Sequence, residues 1–279
     1  MEINTYFWEG RVLNKHLHDA LKLLRCKPSY YFTHGNCGDI FSRELLHHLY
    51  GENIKVNNTN SKTPRILLVG SIAHRIQGKD LICGIGAKPR EIPKPHFEQQ
   101  VIGLRGPISY DLFKRAGYDL SNIQFLLDPG LMLRFIIPEE VQSKAMPSGA
   151  IFIPHYRERY RIPTLPKDIR FCDIDAPVHA VAQQILSAEL VYSSSLHGLI
   201  FAHALKRPAV LVKPNSNEAM LKYTDYYSSV SLPEPSMLSS ITEADPAKDS
   251  NVPYETTYTR DDFKFPTVNE LHALGIARN

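Results

Sequence analysis

Tyr192-Ser193-Ser194-Ser195-Leu196-His197-Gly198-Leu199 is the stretch on which the fold turns. Glu189–Tyr192 reads as a strand, three hydroxyls end it, and Leu199, Ile200, Ala204 and Leu205 fall in register for a helix. A strand handing over directly to a helix is half of a parallel βα unit. The pattern repeats on either side. Ala150–Ile153 is a strand ending in Pro154-His155-Tyr156, Pro177–Ala188 is a helix, and Ala209–Val212 is the next strand. Upstream, Tyr30–Thr33 breaks into His34-Gly35-Asn36-Cys37-Gly38-Asp39, and a helix carrying Leu45, Leu46 and Leu49 runs to a Gly51 stop. Arg65–Val69, Asp80–Ile85, Val101–Leu104 and Ile123–Leu127 read as strands, and Pro107 opens a helix striped by Ile108, Leu112, Phe113 and Ala116.

This alternation predicts an α/β chain with two Rossmann-like, parallel-sheet domains. The proline-flanked stretch Pro138–Ser148 is read as the linker, giving domains 1–140 and 148–279. Ligands of such sheets bind at the carboxyl ends of the strands. Ser231–Pro253, rich in proline and serine, reads as a surface excursion.

Composition bounds the function. The 279 residues carry 22% charged and 43% hydrophobic side chains, ordinary for a globular chain. A net charge of +3 argues against a dedicated nucleic-acid binder but leaves room for a local anion pocket. No 18-residue apolar run predicts a membrane span, and Met1–Thr5 opens no signal peptide. Cys26, Cys37, Cys83 and Cys172 are widely spaced, so neither disulfides nor a metal site is expected, and a reduced, cytoplasmic setting fits.

Two segments carry chemistry. Ser193–Gly198 puts hydroxyls and His197 at a helix N-terminus, where unpaired N–H groups and the helix dipole favour a phosphate or carboxylate. His197 there is a candidate proton carrier near neutral pH; the same spacing also suits simple capping. Ile102–Ser109 holds Arg105 between a strand end and a helix, where its guanidinium can clamp an anion or lie on the surface. Gly84-Ile85-Gly86 lacks the third glycine of a dinucleotide fingerprint, yet its glycines would admit a ligand close to the backbone. His155 and Lys213 sit at strand ends. Walker, G-x-S-x-G and H-E-x-x-H motifs are absent.

Gly35-Asn36-Cys37-Gly38-Asp39, Gly84-Ile85-Gly86, Arg105-Gly106-Pro107-x-Ser109, Asp128-Pro129-Gly130, Pro154-His155 and Ser195-Leu196-His197-Gly198 follow one another in a recognisable order. The chain resembles the polysaccharide pyruvyl transferase family over about residues 30–212. The resemblance is to the short bacterial members that decorate exopolysaccharide or capsule repeat units. It implies a GT-B-like fold whose two Rossmann-type domains face a central cleft, acceptor side first and donor side second. It also implies transfer of a pyruvyl group from phosphoenolpyruvate to two hydroxyls of a sugar, forming a cyclic ketal and releasing phosphate without a metal or other cofactor. On this reading His197 is the acid/base and Arg105 the donor clamp. Ser194, Ser195, Gly198, His155, Lys213, Gly84 and Gly86 surround the donor, and Asn36 and Asp39 face the acceptor. Many members carry an arginine where this chain has Ser195, so the serines and helix N-terminus, or Lys213 or Arg157, are expected to replace it. The acceptor would be a lipid-linked oligosaccharide or repeat unit, met peripherally at the inner face of a membrane. The competing readings are a GT-B glycosyltransferase with a nucleotide-sugar donor and a non-catalytic glycan-binding member.

Overall fold

A computed structural model of the chain describes residues 1–24, 31–216 and 218–279. Its strands are β1 (Glu2–Thr5), β2 (Arg11–Val12), β3 (Tyr31–Phe32), β4 (Lys55–Asn58), β5 (Ile66–Leu67), β6 (Leu81–Cys83), β7 (Gln100–Leu104), β8 (Phe125–Leu126), β9 (Ala150–Ile153), β10 (Ile169–Phe171), β11 (Leu190–Ser193), β12 (Ala209–Val212), β13 (Met237–Leu238) and β14 (Ala277–Arg278). The first sheet runs β14-β1-β5-β6-β7-β8, with β4 also on β1; the second runs β10-β9-β11-β12-β13. Every pairing in the two sheets is parallel except β1 with β14. The α/β class with parallel sheets is therefore as the sequence indicates.

Apolar runs explain why the second sheet is legible. Ala150–Ile153, Leu190–Ser193 and Ala209–Val212 are buried at every position, as expected of parallel strands covered on both faces. Three features depart from the sequence reading. Glu2–Thr5 is a strand inside the first sheet, although only Ile3 among its four residues is apolar. Ser231–Pro253 is not merely an excursion: Met237–Leu238 within it forms the edge strand β13. The chain's end does not stay with the second sheet; Ala277 and Arg278 pair with Ile3 and Glu2. The stretch between the sheets, 138–148, carries the short helix Glu139–Ser143 and is largely exposed. Tyr30 and Cys26 lie outside the described residues.

Helices connect the sheets through shared contacts. One buried apolar cluster contains Ile3 and Leu68 beside the first sheet, Leu45 of the helix Cys37–Tyr50, and Val191 and Leu211 of the second sheet. Polar links cross as well. The Asp175 carboxylate accepts from the backbone N–H groups of Thr33, His34 and Gly35, and the Cys37 N–H donates to the Ile174 carbonyl at 2.9 Å. Burial pushes the Asp175 carboxyl up, but those donors and the Arg159 guanidinium outweigh it and hold it low. This fixes the loop that leads into Cys37–Tyr50.

A second link is ionic. Fully buried Arg105, just past β7, donates from Nε to Asp225 at 2.9 Å, and Asp225 lies on the helix Leu221–Ser229. Asp225 also accepts from the Ser109 N–H and hydroxyl at 2.9 and 2.5 Å. Removing one member of a buried ion pair strands the other charge and typically costs about 3–5 kcal/mol. We expect Asp225→Ala to lower stability by about that amount in a urea unfolding titration.

Candidate functional site

Carboxyl-terminal ends of strands from both sheets, β1, β5 and β6 in the first and β9 and β11 in the second, open onto one cleft of about 360 Å³. Its walls include Tyr6, Trp8, Asn36, Asp39 and Ser71 from the first half and His155, Tyr156, Arg157, Ser195 and His197 from the second. Five cationic side chains line it (Arg75, Lys88, Arg90, Arg157 and Lys222) against two carboxylates, Asp39 and Glu218. Glu218 organises two of the cations: its oxygens accept from Arg157 and from Lys222, each at 2.9 Å. Burial, then the neighbouring Arg90 guanidinium, holds the Lys88 amine below its ordinary value, and burial does the same to Lys222. The cleft therefore concentrates more positive charge than its own acids compensate, the condition for binding a small anion.

His197 stands in the first turn of the helix Leu196–Ala204. Its ring lies against Gly38 in the first turn of Cys37–Tyr50, where a Cβ would overlap it. Two separate motifs thus meet at one imidazole, and the loop anchored by Asp175 sets their spacing. Burial, with the Lys222 and Arg105 charges, lowers His197 to about 3, and its buried Nε2 has no partner among the described residues. The ring is neutral at pH 7, so in the ligand-free cleft it can accept a proton but has none to spare. That corrects the expectation of exchange near neutrality: desolvation among fixed cations outweighs the tendency of imidazole to charge. His155 is similarly lowered to about 3, chiefly by burial, and its Nδ1 lies 3.2 Å from the Ser216 hydroxyl.

Asp39 behaves oppositely. Burial raises its carboxyl to about 6, although the Asn36 amide donates to it at 2.5 Å and Lys222 and Lys88 favour its charged form. It is the cleft's carboxyl nearest to titrating at neutral pH.

Several predicted site residues serve the scaffold instead. Arg105 does not line the cleft: besides Asp225 it donates to the Ser71 hydroxyl at 2.7 Å and the Ala87 carbonyl at 2.9 Å. It supports the wall through Ser71 and is no direct donor clamp. Gly86 is a glycine because a Cβ there would occupy the Arg105 guanidinium. Gly84 (φ +119°) faces the Pro129 ring and the Leu68 carbonyl. Gly198 lets its helix sit on the Ser193 hydroxyl. Ser194 is buried, donating to Glu158 at 2.9 Å and accepting from the His155 N–H at 2.8 Å. Lys213 is exposed and borders a different hollow, beside Glu158 and Arg161. Of the replacements for the arginine absent at Ser195, the cleft contains Arg157 and Ser195 itself. Lys222, Lys88, Arg75, Arg90 and Glu218 were not anticipated; they belong to no local motif and converge only through the fold. No group of three or more His, Cys, Asp or Glu among the described residues is placed to hold a metal ion. No helix of the described residues is long and apolar enough to cross a membrane.

The chain is thus an α/β protein of parallel sheets whose cationic cleft is lined by two buried, neutral histidines. The family model "Polysaccharide pyruvyl transferase" matches residues 11–216, and the chain belongs to that family, whose name describes a transferase of polysaccharide biosynthesis. An uncharacterised protein, L143, of Acanthamoeba polyphaga mimivirus is 29% identical over 210 residues, covering 71% of this chain and 72% of that protein. Among solved structures, an uncharacterised protein of Klebsiella pneumoniae aligns with TM-score 0.47 and 14% identity over 82% of this chain and all of the other. The wall teichoic acid polymerase TagF aligns with TM-score 0.39 and 11% identity over 87% and 77%. Both scores are too low to show a shared fold.

Because the Gly38 Cα–H is what admits the His197 ring, Gly38→Ala should lower the melting temperature and abolish turnover together. Overpacking of this kind costs about 1–3 kcal/mol. A thermal melt and a turnover assay on the same preparation check it.

Proposed function

We propose that this protein transfers the pyruvyl group of phosphoenolpyruvate to two hydroxyls of one sugar in a polysaccharide repeat unit. The observation that carries the reading is the convergence of Arg75, Lys88, Arg90, Arg157 and Lys222 on one cleft with His197 and Asp39. The donor bears a phosphate and a carboxylate, and charge-assisted hydrogen bonds to such cations are the contacts it needs. A bound trianion disfavours a second negative charge nearby, so it lifts Asp39 from about 6 and leaves the carboxyl protonated. Asp39 then donates a proton to C3 of the enol, making C2 electrophilic. A sugar hydroxyl adds to C2 and gives its proton to neutral His197. Phosphate departs with the C2–O bonding pair and takes the proton from His197; the second hydroxyl closes the ketal and returns its proton to the Asp39 carboxylate, so each turnover leaves one proton on C3 and one with phosphate. His155 and Ser195 complete the wall around the donor, and Asn36 orients Asp39.

The two sheets correspond to the two halves of a GT-B-like architecture facing this cleft, divided near residues 138–148, with the last strand returning to the first half. A lipid-linked acceptor, met at the cytoplasmic face of a membrane, fits the resemblance to capsule and exopolysaccharide enzymes.

Three measurements test this reading. Phosphoenolpyruvate should raise the melting temperature, and a panel of nucleotide sugars should not; stabilisation by a nucleotide sugar alone would reverse the assignment. Lys222→Met should raise the donor KM roughly ten- to a hundredfold, the equivalent of one charged hydrogen bond. His197→Ala should cut phosphate release at least about a hundredfold with the fold intact.

A further inference from the structure

The donor chemistry leaves one wall of the cleft unused. Tyr6, Trp8 and Tyr156 line it with aromatic rings. Trp8 and Tyr156 meet at 4.8 Å between centroids, tilted by 39°. Buried Phe32 stands behind them, edge-on to Trp8 at 5.6 Å, with the Arg159 guanidinium 4.6 Å from its own ring centre. Arg157 lies 5.4 Å over the Tyr156 ring and donates from Nε to its hydroxyl at 3.0 Å. The shelf is thus backed and braced from both halves of the chain. Trp8 follows β1 and Tyr156 follows β9, so both sit at the carboxyl ends of parallel strands, where ligands of such sheets bind.

We propose that Trp8 and Tyr156 form the stacking subsite for the pyranose ring of the acceptor. The inference rests on the reading above that the cleft handles a sugar. The donor, small and multiply charged, offers these rings little more than one methylene. A pyranose has one: its axial C–H bonds make a flat apolar patch while its hydroxyls project from the rim. Aromatic side chains with one polar edge suit such a ligand. Asn36 and Asp39 line the same cleft and offer polar partners for the rim hydroxyls. The cavity, about 360 Å³, is in the range of pockets that hold ligands larger than a three-carbon acid. Stacking also orients the ring, so that of several hydroxyl pairs only one reaches the electrophilic carbon.

Trp8 is the chain's sole tryptophan, so its fluorescence reports on this subsite directly. Methyl β-D-galactopyranoside and methyl α-D-glucopyranoside are titrated without phosphoenolpyruvate, with sorbitol as a ringless polyol control. A saturable change in emission with at least one pyranoside and none with sorbitol is expected. Tyr156→Leu should weaken that binding about five- to tenfold. In turnover, Trp8→Leu should raise the acceptor KM by a similar factor with the donor KM unchanged, and Trp8→Phe should recover most of it at a wild-type melting temperature. No saturable response to either pyranoside, or an equal response to sorbitol, would overturn the subsite. A pyranoside response in a protein that ignores phosphoenolpyruvate would keep the subsite and remove the pyruvyl reading, so the two failures are told apart.

Discussion

The buried pair between Arg105 and Asp225 is the constraint on which the rest of the site depends. Two opposite charges shielded from water must stay together, because either one alone would be left without solvation. Their pairing draws in the Ser109 hydroxyl, the Ser71 hydroxyl and the Ala87 carbonyl. It also dictates sequence nearby: Gly86 leaves space for the guanidinium, and Gly106 leaves space for Asp225. The consequence for function is indirect and large. Asp225 shares its helix with Lys222, one turn earlier, so the pair sets where that ammonium meets the cleft. Arg105 acts as a positioning residue, and the cations that face the cleft are others.

Charge balance governs what the cleft can do. Burial works against every ionised group there, but unequally. It neutralises His155 and His197, weakens the hold of Lys88 and Lys222 on their protons, and favours the protonated form of Asp39. An arriving anion reverses part of this by compensating the cations. With the anion bound, the imidazole is a neutral base and the carboxyl, lifted from about 6, an acid. Separated in this way, the two groups can serve opposite proton transfers in one reaction.

Legibility in the sequence followed burial and locality. The strands of the second sheet were readable because both faces are covered, which forces continuous apolar runs such as Ala150–Ile153. Glu2–Thr5 was not, because Asn4 and Thr5 are polar residues whose burial is tolerated through partners elsewhere: Asn4 accepts from Asn57, and Thr5 donates to the Ile66 carbonyl. His197, His155, Ser195, Asn36 and Asp39 were found because each follows a strand end or opens a helix, where side chains reach a cleft by default. Arg105 satisfies the same local rule and fails it in three dimensions. Its partner lies 120 residues away, beyond the reach of any spacing argument. Lys88, Lys222 and Glu218 are the converse, ordinary in sequence and brought together only by packing.

Calorimetric titration with phosphoenolpyruvate at pH 7, in two buffers of different ionisation enthalpy, tests the central claim most directly. One donor per chain and net proton uptake are expected, because binding raises Asp39 through neutrality; Asp39→Asn should bind without that uptake. Absence of binding, or identical heats in the two buffers for the wild-type protein, would contradict it.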